Sequence, residues 1–288
     1  LFGQSVRSYP PIDLASQEAV QQIHDASMRV LSETGINVLH DGARAIMKQA
    51  GADVMPGETR VRFDPALIMQ CISNIPSKFT LHARNPAHNL TVGGNEMIFC
   101  MMASAPNFLK LAQIHPIIQA LGGYPVEPTD VHPSIRHLDC ISDFITLTDK
   151  VYHAYSLGQD RIADALEMTR IAHGLTQDEL RRQPSLFTII NTNSPLQLDI
   201  PMMQGVIDMA TMGQPVVITP FTLSGAMAPV TIPGALVLQN AEALAALAFS
   251  QMVNPGTPAM YGGFTSNVDM KSGSPAFGTP EYMKAQHI

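Results

Sequence analysis

The sequence predicts an α/β fold with a mostly parallel sheet, and three observations carry that expectation. After Gly93-Gly94, short apolar runs alternate with amphipathic helical patterns, the order that parallel strands and crossover helices impose. The runs close on Gly, Asn and Pro, which punctuate strand ends. With 288 residues and 45% hydrophobic content, the chain can also bury the large core that such a sheet needs.

The elements before the sheet follow from local chemistry. Val20, Ile23, Met28, Val30 and Leu31 fall near a 3.6-residue repeat that stops at Gly35. Asp41 is expected to cap a second helix ending at Gly51, and Asp64-Pro65 to open a third through Ile68, Met69 and Ile72. From Lys78 to Val92 the pattern turns to alternation around Arg84-Asn85-Pro86, which predicts a β-hairpin. The expected organisation is a helical N-terminal region over 1–77, a hairpin connection over 78–95 and the βα region over 96–288.

Within that region six strands are predicted, near Met97–Met102, Tyr124–Val126, Val151–Tyr155, Leu186–Ile190, Val216–Thr219 and Ala259–Tyr261. Helices are predicted over Ser134–Phe144, Arg161–His173, Pro201–Met212 and Pro233–Met252. A doubly wound sheet can stop at six strands, whereas a closed (βα)8 barrel needs eight, so a barrel would be cut short. A further helix is expected to begin after Thr279-Pro280-Glu281 and to be interrupted by the end of the chain.

Composition excludes several functions. Seventeen Lys and Arg against 24 Asp and Glu, with only Arg181-Arg182 paired, leave no basic surface for nucleic acid. Gln239, Asn240 and Glu242 break the apolar run from Ala235 to Phe249, so no membrane span is expected. Cys71, Cys100 and Cys140 lack zinc or disulfide spacing and read as reduced core residues of a cytoplasmic protein. No GxGxxG after a strand, no GxxxxGK[ST] and no GxSxG is present, which argues against nucleotide and serine-hydrolase chemistry. No metal site is expected: His115, His132, His137 and His173 show no ligand spacing and read as structural or solvated.

Reacting groups in parallel βα proteins sit where strands end, so those positions supply the candidates. The expected substrate-binding set is His153, Tyr155, Asn191, Asn193, Phe221, Tyr261 and Phe264. Mouth loops are expected at Ser104 and Asn107 and at Thr222 and Gly225. Alternation puts His153 with Tyr155, and Asn191 with Asn193. The asparagines equally suit turns and caps, and the aromatics equally suit core packing. The sharper reading is a cage of π faces around a methylated ammonium, which donates no hydrogen bond and is held by cation–π attraction. Asp130-Val131-His132-Pro133 could reach the mouth or form a local turn, while Lys150 and Lys271 are poor candidates for a Schiff-base lysine. No catalytic residue is assigned.

Several segments, read in order, resemble the trimethylamine methyltransferase (MttB-type) family. They are Ser104-Ala105-Pro106-Asn107, Leu111-Ala112-Gln113 with Gly122-Gly123, Asn193-Ser194-Pro195-Leu196 and Pro229-Val230-Thr231-Ile232-Pro233-Gly234-Ala235 leading into Asn240-Ala241-Glu242. Asn254-Pro255-Gly256-Thr257-Pro258 and Tyr261-Gly262 complete the set. The resemblance implies a barrel whose mouth binds a quaternary or tertiary amine and receives a separate corrinoid (cobalamin) protein. It implies attack of Co(I) on the N-methyl carbon. It also implies missing residues between Phe108 and Leu109 and beyond Ile288, and, without pyrrolysine, a betaine substrate. Oligomeric state is left open, and the alternative is a non-catalytic barrel that binds betaine or docks the corrinoid protein.

Overall fold

A computed structural model describes residues 3–10, 12–102, 105–122, 129–156 and 160–288. Helix α1 (Gln17–Arg29) starts at Ser16, whose side chain accepts from the Ala19 N–H, and runs into a π-helical turn over Val30–Thr34. Gly35 ends it at φ 75°, with a Cβ there falling 2.4 Å from the Val61 carbonyl oxygen. Helix α3 (Pro65–Ile72) begins as expected, with Asp64 accepting from Ala66 N–H and Pro65 in the first turn. Helix α2 (Asp41–Gln49) differs: His40 is its cap, Nδ1 accepting from Ala43 N–H at 3.0 Å, and Asp41 is already helical.

The N-terminal region is not helical alone, which corrects the expectation. Strands Ile36–Val38, Asp53–Val54 and Arg60–Arg62 join Gln197–Leu198 in a four-stranded sheet. Runs of two or three residues are too short to display a period of two, so the sequence pattern hid them.

The hairpin forms as predicted, Phe79–Leu81 pairing antiparallel with Leu90–Val92. It sits at the N-terminal edge of the main sheet: His82 N–H donates to the Pro184 carbonyl at 2.7 Å, and Arg84 donates to the Thr148 carbonyl at 2.9 Å.

The main sheet has six strands, here β1 (Cys100–Met102), β2 (Ala120–Gly122), β3 (Val151–Ala154), β4 (Leu186–Ile190), β5 (Val216–Ile218) and β6 (Ala259–Tyr261). Every pair is parallel and neighbours in space are neighbours in sequence. The sheet is open among the described residues, β1 and β6 forming its edges, so closure into a barrel is not seen. Two strand expectations change. Glu96–Met97 leaves the sheet to pair with Ser5–Val6, and the second strand runs over Ala120–Gly122, whereas Tyr124–Val126 lies outside the described residues.

The helices between strands are α4 (Pro106–Ile114), α5 (Arg136–Leu147), α6 (Arg161–His173), α7 (Gln177–Arg182) and α8 (Ile200–Thr211), followed by α9 (Ile232–Val253) and α10 (Pro280–His287). Helix α9 is long and apolar enough to cross a membrane, yet most of it is buried against α1, α3, α8 and the sheet.

Register and alternation give the sheet two faces. One carries Leu121, Tyr152, Ala154, Leu186, Ile190, Val216, Ile218 and Ala259 into the main core with the helices. The other carries Ala120, Val151, Phe187, Ile189 and Val217 against Leu81, Ala83 and Leu90 of the hairpin. The hairpin thus covers this second face from the strands' N-terminal side. Cys71 and Cys140 are buried as expected, but Cys100 is exposed on edge strand β1.

Candidate functional site at the strand ends

All six strands point the same way, so their C-terminal ends lie along one edge, and the loops leaving that edge hold most candidates. His153 belongs to the hairpin-side face, in register with Phe187. Its ring meets Tyr155 edge-on at 4.9 Å and Phe187 at 5.6 Å. Burial disfavours the imidazolium and pushes its pKa down to about 3, so this imidazole is neutral at ordinary pH. His153 and Tyr155 lie on one face, as strict alternation predicts.

The loop after β4 is fixed from below by Glu242 of α9, whose side chain is fully buried. Its carboxylate accepts from the Thr192 hydroxyl, from Ser194 Oγ at 2.8 Å and from Leu196 N–H at 2.8 Å. Burial raises the Glu242 pKa, and these three donors oppose the rise. With Thr192 turned inward, Asn191 and Asn193 face outward and are exposed. Asn191 Oδ1 accepts from Thr219 Oγ1 at 2.8 Å, which ties this loop to the one after β5. Asn193 instead serves a local turn, its N–H donating to the Gln197 carbonyl at 2.9 Å and its amide to Asp199 at 3.3 Å.

Beyond β5 and β6 the chain keeps its parallel ladder. Gly262 N–H donates to the Ile218 carbonyl at 2.8 Å, Phe264 to Pro220 at 3.0 Å and Ser266 to Thr222 at 3.2 Å. This extension brings Phe221 and Phe264 together at 6.2 Å, with Phe277 at 6.1 Å from Phe221. The alternate residues turn inward: the Thr222 hydroxyl bonds the Thr265 hydroxyl, which donates to Gln239 Oε1 on α9. Gly225 supplies a positive φ of 86° in the turn that follows.

The other candidates are placed differently. Tyr261 lies on the helix-side face, opposite to His153, and its hydroxyl accepts from Gln239 Nε2 at 3.3 Å. It lines a hollow of about 340 Å³ with His24, Asn240 and Gln286, which takes none of Tyr155, Asn193 or Phe221. Asn107 is exposed in the first turn of α4, and Ser104 lies outside the described residues. His132 Nδ1 meets Ser134 Oγ at 2.7 Å, which makes the Asp130–Pro133 segment a local turn. Lys150 is buried at the start of β3, away from the site, its ammonium donating to the carbonyls of Ala112, His115 and Ile118 at 2.6, 2.9 and 2.6 Å. Among the described residues no group of three or more His, Cys, Asp or Glu is arranged to hold a metal.

Sequence reasoning missed Gln239 and Glu242. The signal was present: with Asn240 they are the polar residues that interrupt the apolar run, and Gln239 and Glu242, three apart, share one side of the helix.

Parallel βα sheets commonly take small molecules where their strands end, and here those ends display amides and aromatic faces. Comparison with known proteins narrows the class. The sequence model of the trimethylamine methyltransferase (MTTB) family matches residues 2–288. The chain is 32% identical to a glycine betaine methyltransferase from Desulfitobacterium hafniense (strain Y51) across 94% of its own length and 60% of the relative's. It is 28% identical to trimethylamine methyltransferase MttB of Desulfitobacterium hafniense (strain DSM 10664 / DCB-2), covering 92% of this chain and 57% of that one. Trimethylamine methyltransferase MttB1 of Methanosarcina mazei is 26% identical, covering 94% and 59%. The chain belongs to the trimethylamine methyltransferase family, and it spans about 60% of the length of these curated relatives.

Proposed function

We propose that this protein transfers a methyl group from a quaternary or tertiary amine, of the betaine or trimethylamine type, to a corrinoid carried by a separate cytoplasmic protein. The observation that carries the reading is the apposition of Phe221 and Phe264 beyond the ends of β5 and β6, with Asn191 tied to the same strand ends through Thr219. Aromatic faces attract a methylated ammonium, which offers no N–H to a hydrogen-bond acceptor. Their apolar surface also suits the approach of a corrin ring. When bound, the corrinoid supplies the Co(I) nucleophile that takes the methyl carbon.

The protein's own part is alignment and exclusion of water. A quaternary amine leaves as a neutral tertiary amine, so no proton need be delivered to it. Neutral His153, set among Tyr155 and Phe187, fits a dry wall better than an acid or base. The sequential strand order supports reading the sheet as most of a (βα)8 barrel, with β1 and β6 as the edges that further strands would join. The 32% identity to a glycine betaine methyltransferase favours a betaine as substrate.

The test is incubation of the full-length protein with reduced corrinoid protein and a panel of betaines and methylamines. Methylcobalamin absorbance with at least one donor is the expected result, and its absence with every donor overturns the proposal.

A further inference from the structure

We infer that Glu242 and Gln239 are positioning residues that orient the strand-end loops, so that one buried helix sets the geometry of the methyl-donor site; this rests on the function proposed above. The observation is a repeated arrangement. In each of three loops a threonine turns inward, to Glu242 directly or to Gln239 directly or through a second threonine, and its neighbour is displayed on the other side. Thr192 binds Glu242 between Asn191 and Asn193, Thr222 follows Phe221, and Thr265 follows Phe264. Thr192, Thr222 and Thr265 are buried, whereas Asn191, Asn193 and Phe264 are exposed.

Stability gives a weak reason for this design. A carboxylate buried among hydroxyls and one backbone N–H bears a desolvation penalty, and well-packed apolar replacements of buried charges are often neutral or stabilising. What the carboxylate provides is direction. Three donors converge on two oxygens and fix which way Thr192, Ser194 and Leu196 face, and alternation then fixes Asn191. Gly263 meets the same constraint from the other side: a Cβ there would overlap the Gln239 amide. The loop therefore approaches Gln239 as closely as backbone can.

The full-length protein with Glu242→Leu, Glu242→Gln and Thr192→Val tests this. Methyl-donor KM and kcat are measured with reduced corrinoid protein, together with hydrogen exchange over residues 191–197. Glu242→Leu is expected to raise KM at least tenfold while melting cooperatively, and to speed exchange in that loop. Glu242→Gln, whose hydroxyl partners can rotate to accept from its amide, is expected to recover KM to within threefold of the natural protein. Unchanged KM and unchanged loop exchange in folded Glu242→Leu overturn the inference. Should Glu242→Leu fail to fold, Thr192→Val decides: a threefold or larger rise in KM supports the inference, and no change overturns it. Should the unaltered protein transfer methyl from no donor, the proposed function fails by itself, and loop exchange in these variants still decides whether the helix positions the loop.

Discussion

Replacing Lys150 with methionine keeps the length of the side chain and removes an ammonium that holds three carbonyl oxygens, those of Ala112, His115 and Ile118. Those carbonyls lie in and just after the last turn of α4, where helical C=O groups have no intrahelical partner. A hydrogen bond to a charged group contributes about 1.5–3 kcal/mol, and an orphaned buried acceptor costs about 1–3 kcal/mol. Against this, the variant no longer buries a charge, which recovers several kcal/mol. The net loss is about 2–4 kcal/mol, or a fall in Tm of roughly 3–7 °C for a chain of this size. Thermal melts followed by circular dichroism measure it. Because Lys150 immediately precedes β3 while the candidate site lies at the opposite ends of the strands, under the proposed function the folded variant is expected to transfer methyl at the rate of the unaltered protein. A Tm within 2 °C of the unaltered protein refutes the anchoring role, and complete loss of turnover in a folded variant refutes the placement of the site.

Three further outcomes follow from burial and backbone geometry. His153 takes up a proton near pH 6.5 when unfolded but only near about 3 when folded, so stability falls as pH drops between those values. The slope approaches ~1.4 kcal/mol per pH unit, and urea midpoints from pH 7 to 4 should flatten in His153→Phe; an unaltered slope refutes the assignment. Burial raises the Glu242 carboxyl above its ordinary 4.5. Just above that pH the folded protein keeps a proton the unfolded chain has lost, stability declines as pH rises, and Glu242→Gln should abolish that decline in the same titration. Gly35→Ala places a Cβ at positive φ against the Val61 carbonyl oxygen and is expected to cost about 2–4 kcal/mol; a denaturation midpoint unchanged from the parent would contradict that geometry.

Elements with strong local chemistry were legible in the sequence. Helix α6 and strand β4 have the bounds expected for them, because Gly174 stops the one and a continuous apolar run defines the other. Asp64-Pro65 opened α3 for the same local reason. The N-terminal strands were hidden by their length, and Ala120–Gly122 went unpredicted because it too is only three residues long and ends in glycine. The site was legible only as a list. Which face Tyr261 takes depends on the register of β6 against β5, and the roles of Gln239 and Glu242 depend on loops distant in sequence. That His153 and Tyr155 share a face was foreseen because both residues stand on one continuous segment, where alternation alone decides; their edge-on ring contact was not.

The hairpin bears on the order of events. Leu81, Ala83 and Leu90 cover one face of the sheet at the strands' N-terminal side, while the candidate residues lie beyond the strands' C-terminal ends. Under the proposed function, an amine held at those ends has to be seated before a bulky macromolecule docks over them, and the spent amine leaves once that macromolecule has departed. Under the proposed reaction, steady-state kinetics are then sequential with compulsory order, and excess corrinoid protein slows turnover by blocking the doorway before the amine has entered.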